Sequence, residues 1–196
     1  MKSFFTALCL AFALLLGNTG VTWSADLQKG IIAFNNGDYA TALREWMPLA
    51  EQGNADAQYN LGAMYDDGEG VPQDDKTALK WYRLAAEQGN ADAQASLGWM
   101  HEKGLGGPQD YKTAVKWYRL AAEQGNSFAQ TNLGWMHAQG LGVPQDYKTA
   151  VKWHRLAAEQ GNASAQGNLG VMYAFGKGVL KYYVYARMWG NIAATN

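Results

Sequence analysis

The tripeptide Gln-Gly-Asn returns every 36 residues, at Gln52-Gly53-Asn54, Gln88-Gly89-Asn90, Gln124-Gly125-Asn126 and Gln160-Gly161-Asn162. Leu-Gly keeps the same step, at Leu61-Gly62, Leu97-Gly98, Leu133-Gly134 and Leu169-Gly170, and so do Asp38, Asp74, Asp110 and Asp146. Three series with one period define an array of repeats before any other property is considered. They rule out a globule in which each segment has its own environment.

Each period reads as two helices. In the copy after Gly89, that glycine closes the preceding helix, because it tolerates a left-handed backbone. Asn90 caps the next helix with its side-chain oxygen. Helix A is expected over about 91–103, with Ala93, Leu97, Met100 and His101 on one face at i, i+4, i+7 and i+8. Gly104, Gly106, Gly107 and Pro108 form the loop, and Asp110 caps helix B over about 111–124. Ala114, Ala121 and Ala122 let neighbours approach, while Trp117 and Tyr118 fill space. One such hairpin buries a single face and is marginal alone. Stacked copies bury each other.

The spacing divides the chain into 1–25, a looser pair over 26–52, and four repeats at 53–88, 89–124, 125–160 and 161–196. The last residue falls in register with the repeat, so truncation is not expected. Residues 1–25 carry Lys2, an apolar run from Phe4 to Leu16, and a polar stretch ending near Ser24-Ala25. The run is too short to span a bilayer. A Sec-type signal peptide is expected, cleaved after Ser24 or Ala25, with no membrane span in the mature chain and a periplasmic or secreted destination. Cys9, the single cysteine, lies in that run. The mature chain then has no thiol for disulfides, catalysis or metal binding.

The motifs carry a family resemblance. Ala-Asp-Ala-Gln, Leu-Gly-x-Met-Tyr, Gly-x-Gly-Val-Pro-Gln-Asp and Lys-Thr-Ala-x-Lys-Trp-Tyr-Arg-Leu-Ala-Ala-Glu-Gln-Gly-Asn resemble the Sel1-like repeat, a relative of the tetratricopeptide repeat. The resemblance implies an all-α, right-handed superhelical solenoid of stacked antiparallel helix pairs. It implies an adaptor role, often in the bacterial envelope or in host contact. Some secreted members are cysteine-rich and have been linked to penicillin binding or β-lactam hydrolysis. This chain lacks their cysteines.

Two copies depart from the pattern. Pro48 falls inside the first helix B, at the slot of Leu84, and is expected to break or kink it. In the last copy Tyr182 replaces the capping Asp, and Val184 and Met188 replace Lys148 and Lys152. That aromatic end either packs on itself or offers an apolar contact.

Nothing in the chain reads as a catalytic or cofactor site. His101 and His137 share the slot of Tyr65 and Tyr173, and His154 takes the slot of Tyr82 and Tyr118. They are expected to be packing rings with satisfied polar tips rather than metal ligands. No nucleophile elbow, S-x-x-K or phosphate-binding loop occurs. No metal, cofactor or enzymatic activity is expected, and a β-lactamase or peptidoglycan-type hydrolase stands as the alternative by family analogy alone. Lys plus Arg total 16 against 17 Asp plus Glu, a formal charge of −1, which lacks the basic excess of nucleic-acid binders. Helix B does carry a basic row: Lys76, Lys80 and Arg83; Lys112, Lys116 and Arg119; Lys148, Lys152 and Arg155. It reads as a solvated face, or as contact with an acidic partner or an anionic envelope polymer.

Comparison of the copies with one another locates a candidate surface. Helix B hardly changes: residues 108–126 and 144–162 differ only at Tyr118 and His154. Helix A varies along one stripe: Tyr59, Ala63, Asp66, Asp67; Ala95, Trp99, Glu102, Lys103; Thr131, Trp135, Ala138, Gln139; Gly167, Val171, Ala174, Phe175. Packing demands repetition and recognition demands difference. Tyr59, Asp66, Trp99, Glu102, Trp135, Gln139 and Phe175 are therefore the expected contacts for a protein or peptide partner. Trp99 and Trp135 are the expected anchors.

Overall fold

The structure, a computed structural model, describes residues 25–195. The signal-peptide reading, its cleavage site and Cys9 lie outside the described residues, apart from Ala25 itself.

The described residues form ten helices and no strand, paired along the chain. The first pair is α1 (Leu27–Asn35) and α2 (Tyr39–Glu51). Four pairs of one design follow: α3 (Ala55–Asp67) with α4 (Asp75–Glu87), α5 (Ala91–Lys103) with α6 (Tyr111–Glu123), α7 (Ser127–Gln139) with α8 (Tyr147–Glu159), and α9 (Ala163–Phe175) with α10 (Tyr183–Thr195). Each helix packs on its partner and then on the next pair, the arrangement of a solenoid.

The repeated residues set these boundaries. Asn54, Asn90, Asn126 and Asn162 cap the A helices, each accepting the N–H three residues on at 2.8–3.0 Å. Asp74, Asp110 and Asp146 cap α4, α6 and α8 and also accept from Thr77, Thr113 and Thr149 at 2.6 Å. Those bonds hold the three carboxyls below the ordinary aspartate range, the threonine hydroxyl contributing most. The loop glycines are needed for contact as well as for turning. Gly106 (φ +69°) lies so close to the start of α4 that a Cβ there would meet the Asp75 carbonyl at 2.5 Å.

Helix α2 runs unbroken through Pro48 to Glu51, so the expected break does not occur. Pro48 sits near the helix end, where the ring forfeits one bond and its own carbonyl still accepts from Gln52 at 3.2 Å. Tyr182 precedes α10 as expected, and its N–H still donates to the Tyr173 carbonyl at 3.0 Å. The aromatic end stays open to solvent: no residue of α10 is buried, and Tyr183 and Val184 are each 65% exposed.

The core is a column of small and medium side chains. Leu61, Leu97, Leu133 and Leu169 are fully buried, with Met64, Met100 and Met136 one turn on. Each buried leucine contributes about 1.5–3 kcal/mol. Between them runs a ladder of buried glutamines, one at each joint. Gln58, Gln94 and Gln130 donate to the carbonyls of Ala50, Ala86 and Ala122 on the preceding helix, at 2.9–3.1 Å. Each also accepts from Gln88, Gln124 or Gln160 at 2.7–2.8 Å. Both ends of each amide are thus paired in an otherwise apolar joint, as burial requires.

Candidate functional site

The fixed stripe of helix A faces inward and the variable stripe lies at the side of the A helices. Its residues divide into three groups. Trp99 and Trp135 are half-buried, packed by one side against the cores of adjacent repeats. Gln139 and Phe175 are exposed, Phe175 by 70%. Tyr59 is half-buried against the Tyr82 ring at 5.8 Å. Asp66 and Glu102 are turned inward, contrary to the expectation that variable residues contact a partner directly. The Tyr82 hydroxyl donates to Asp66 at 3.3 Å, and Tyr118 donates to Glu102 at 2.9 Å. Glu102 is 4% exposed and is also held by Lys103 Nζ at 2.6 Å.

This inward pair explains why slot 66/102/138/174 varies. An acid stands there where the ring slot of helix B holds tyrosine, Asp66 with Tyr82 and Glu102 with Tyr118, and an alanine where it does not, Ala138 with His154 and Ala174 with Gly190. Variation there is packing chemistry rather than surface difference. Ala95 and Thr131, in another variable slot, are also buried. The ring slot itself is framed by the Leu-Gly glycines. A Cβ on Gly62, Gly98 or Gly134 would fall 2.5, 2.7 or 2.8 Å from the ring of Tyr82, Tyr118 or His154.

Burial dominates the electrostatics of these rings. It pushes the Tyr82 and Tyr118 phenols far up, with the Asp66 and Glu102 carboxylates adding to it. It also raises the Asp66 carboxyl. Burial draws His101 and His137 down, with Arg83 and Arg119 acting in the same direction. His154 is drawn down to about 4 by burial alone. The expectation of satisfied polar tips fails for two rings, since neither His137 Nδ1 nor His154 Nδ1 has a hydrogen-bond partner. Among the described residues no group of three His, Cys, Asp or Glu side chains is placed to hold a metal ion.

Three successive A helices build one open depression of about 260 Å³, with Glu102 and Lys103 on α5, Thr131 and Trp135 on α7, and Asn168 on α9 among its walls. Trp135, with Asn168, also walls a second, smaller cavity beside it, which reaches Gln139 and His154. The structure therefore brings together Glu102, Trp135 and Gln139. It leaves Tyr59 near one end of the array and Phe175 near the other.

The basic row of helix B is exposed throughout. Lys112, Lys116 and Arg119 border a depression of about 470 Å³ with Val115, Leu120 and Val143. Sequence reasoning missed the buried glutamine ladder and the coupled acid–ring slots. The glutamines were visible as Ala-Gln at Gln58, Gln94, Gln130 and Gln166, in step with the repeat.

The Sel1 repeat family matches the chain four times, at residues 55–90, 91–126, 127–162 and 163–196. No curated protein sequence matches. Among solved structures, a Sel1 repeat protein from Oxalobacter formigenes is 38% identical with a TM-score of 0.80, over 87% of this chain and 70% of that one. A protective antigen present in uropathogenic Escherichia coli strains, with an SLR fold, is 37% identical with a TM-score of 0.79. The match covers 85% of this chain and 37% of the antigen. The cysteine-rich protein B of Helicobacter pylori is 22% identical with a TM-score of 0.54, over 67% of this chain and 95% of that one, a likeness of fold alone.

Proposed function

The chain belongs to the Sel1 repeat family, and from that premise we propose that it is an exported, non-enzymatic adaptor that holds a partner polypeptide on its helix-A surface. The family supports a protein–protein interaction scaffold. The observation that carries the reading is the depression shared by α5, α7 and α9, with the half-buried Trp135 between it and a second cavity. A rigid aromatic ring with one face packed and one face open gives contact area at little conformational cost.

The test compares capture of a partner from envelope extract by the wild-type chain and by two variants. Trp99→Ala with Trp135→Ala is expected to lose capture while the helical circular dichroism spectrum survives. Gln139→Arg with Phe175→Asp, at exposed positions where folding costs little, is expected to reduce it. Undiminished capture by both variants overturns the reading. Export to the periplasm or beyond is checked by cell fractionation and N-terminal sequencing. Residues after Ser24 or Ala25 should be the first found. Nitrocefin turnover by the purified chain, abolished by a single His or Glu substitution, would favour the hydrolase alternative.

A second reading concerns the other face. The grouping of Lys112, Lys116 and Arg119 around one depression favours an anionic polymer there. Salt-sensitive binding, lost when Lys80, Lys116 and Lys152 become Gln, is the expected signature.

A further inference from the structure

The third repeat lacks something that the first two possess. In those repeats a ring on helix B donates to a carboxylate on helix A: Tyr82 to Asp66 and Tyr118 to Glu102. In the third, the acid slot holds Ala138 and the ring slot holds His154. The imidazole is shorter than a phenol, and a methyl replaces a carboxylate arm. A cavity of about 90 Å³ is left, and both Ala138 and His154 line it.

The ring stands as its tyrosine counterparts do. The Nδ1–Cε1 edge of His154 lies against Gly134, as the Cδ1–Cε1 edge of Tyr118 lies against Gly98. That leaves Nε2 toward the end of the ring where Tyr118 bears its hydroxyl. Nδ1 has no partner, and His154 is 2% exposed. Burial keeps the imidazole neutral near pH 7, so it carries one N–H. An Nδ1 without an acceptor favours placing that hydrogen on Nε2.

A third departure falls on the same cavity. Lys177 stands in the slot of Leu105 and Leu141, lines the cavity, and has its Nζ 5.5 Å from the Tyr147 ring centre. Asn168 adds an amide to the wall. The lining therefore contains one cation and no carboxylate.

We propose that this cavity receives a side-chain carboxylate, Asp or Glu, from the bound partner polypeptide, which takes the place of the acid missing from the third repeat. The inference rests on the adaptor reading and names the partner chemistry at one point of the helix-A surface. His154 supplies the hydrogen bond that Tyr82 and Tyr118 supply elsewhere. Lys177 supplies the charge that Lys103 supplies to Glu102. A side-chain amide fits the same space but leaves the lysine without its counter-charge.

The probe is the blocked tripeptide N-acetyl-Ala-Glu-Ala-amide, titrated into the purified chain. The imidazole nitrogens of His154 are followed by NMR, with His101 and His137 as internal references. The Glu peptide is expected to move the His154 signals saturably, and its Gln counterpart at least tenfold more weakly. N-acetyl-Ala-Ala-Ala with a free C-terminus tests a terminal carboxylate as the source. Ala138→Glu restores in cis the acid of the second repeat and is expected to abolish the response with no loss of thermal stability. Ala138→Asp, as in the first repeat, is the substitute if the longer acid disturbs packing. Lys177→Leu is expected to weaken the Glu peptide tenfold. No response, equal responses to Glu and Gln, a response only to the free C-terminus, or an undiminished response in the Ala138 variants overturns the proposal. Silence here with partner capture still dependent on Trp99 and Trp135 removes the carboxylate site and leaves the adaptor. A response here without any such capture does the reverse.

Discussion

His154 makes the fold sensitive to acid. Burial depresses its pKa from about 6.5 in an unfolded chain to about 4 in the folded one. Between those values the unfolded chain binds a proton that the folded chain refuses. Unfolding free energy is therefore fully present above about pH 6.5 and falls as pH drops toward 4. Between about pH 7.5 and about pH 5 the loss from this ring is about 2 kcal/mol. Urea unfolding at the two pH values should show it, and His154→Tyr, the ring the first and second repeats hold there, should remove that share. The share left in the variant includes His101 and His137, whose shifts have the same sign. Glu102 gives a second residue-scale expectation. Glu102→Ala strands the buried Tyr118 hydroxyl and should cost about 1–3 kcal/mol in thermal denaturation, with Tyr82 and the first repeat unaffected. The partnership of residues 102 and 118 was not legible in the sequence. It spans 16 residues and depends on how helices A and B cross, which residue types alone do not reveal. The tryptophans were legible as variable, but their half-burial was not.

Glycine makes the same point for whole elements. Gly98 lies mid-helix in α5, where it costs helix propensity, yet a Cβ there would fall 2.7 Å from the Tyr118 ring. Gly98→Ala should therefore destabilise the chain, by about 1–3 kcal/mol. A Cβ added at Gly167 in α9 would meet nothing within 4 Å. Gly167→Ala should stabilise by up to about 1 kcal/mol. Thermal midpoints that moved in the same direction for both would sink the packing account. The Leu-Gly series marked the first glycine as a recurring position, but not its reason, since Gly89 recurs in the same step for its positive φ with nothing close to it. Helix boundaries were equally legible: helix A of the second repeat was expected over 91–103 and spans Ala91–Lys103. The break expected at Pro48 does not occur because propensity ignores position, and near the end of α2 the missing N–H removes one bond from a helix otherwise held by Trp46 and Ala50. Helix α10 has no buried residue. Its amides should exchange with solvent faster than those of α6 and α7, a pattern that amide hydrogen exchange resolves directly.

At the scale of the molecule, stability is carried from joint to joint. Among the described residues the extensive helix contacts join neighbours along the chain or, for α5 and α7, neighbouring repeats. The array should therefore behave as a line of coupled units rather than as one all-or-none body. The buried glutamines are the polar part of each coupling. Gln130 reaches back to Ala122 on α6 and accepts from Gln160 at the end of α8, so it serves three helices at once. Removing it takes one hydrogen bond from the Ala122 carbonyl, which keeps the Gly125 N–H at 3.0 Å, and one from the Gln160 amide, which keeps the Leu156 carbonyl at 3.4 Å. Two bonds lost at an apolar joint cost about 1–3 kcal/mol. In a globule that cost would spread over the whole chain. Here Gln130→Ala should fall on the C-terminal block. Hydrogen-exchange protection should drop in α7–α10, change little in α1–α4, and urea unfolding should broaden or separate into two steps. A uniform loss of protection along the chain would show that the repeats unfold as one unit. In that case the joint chemistry would not be what divides the molecule into repeats.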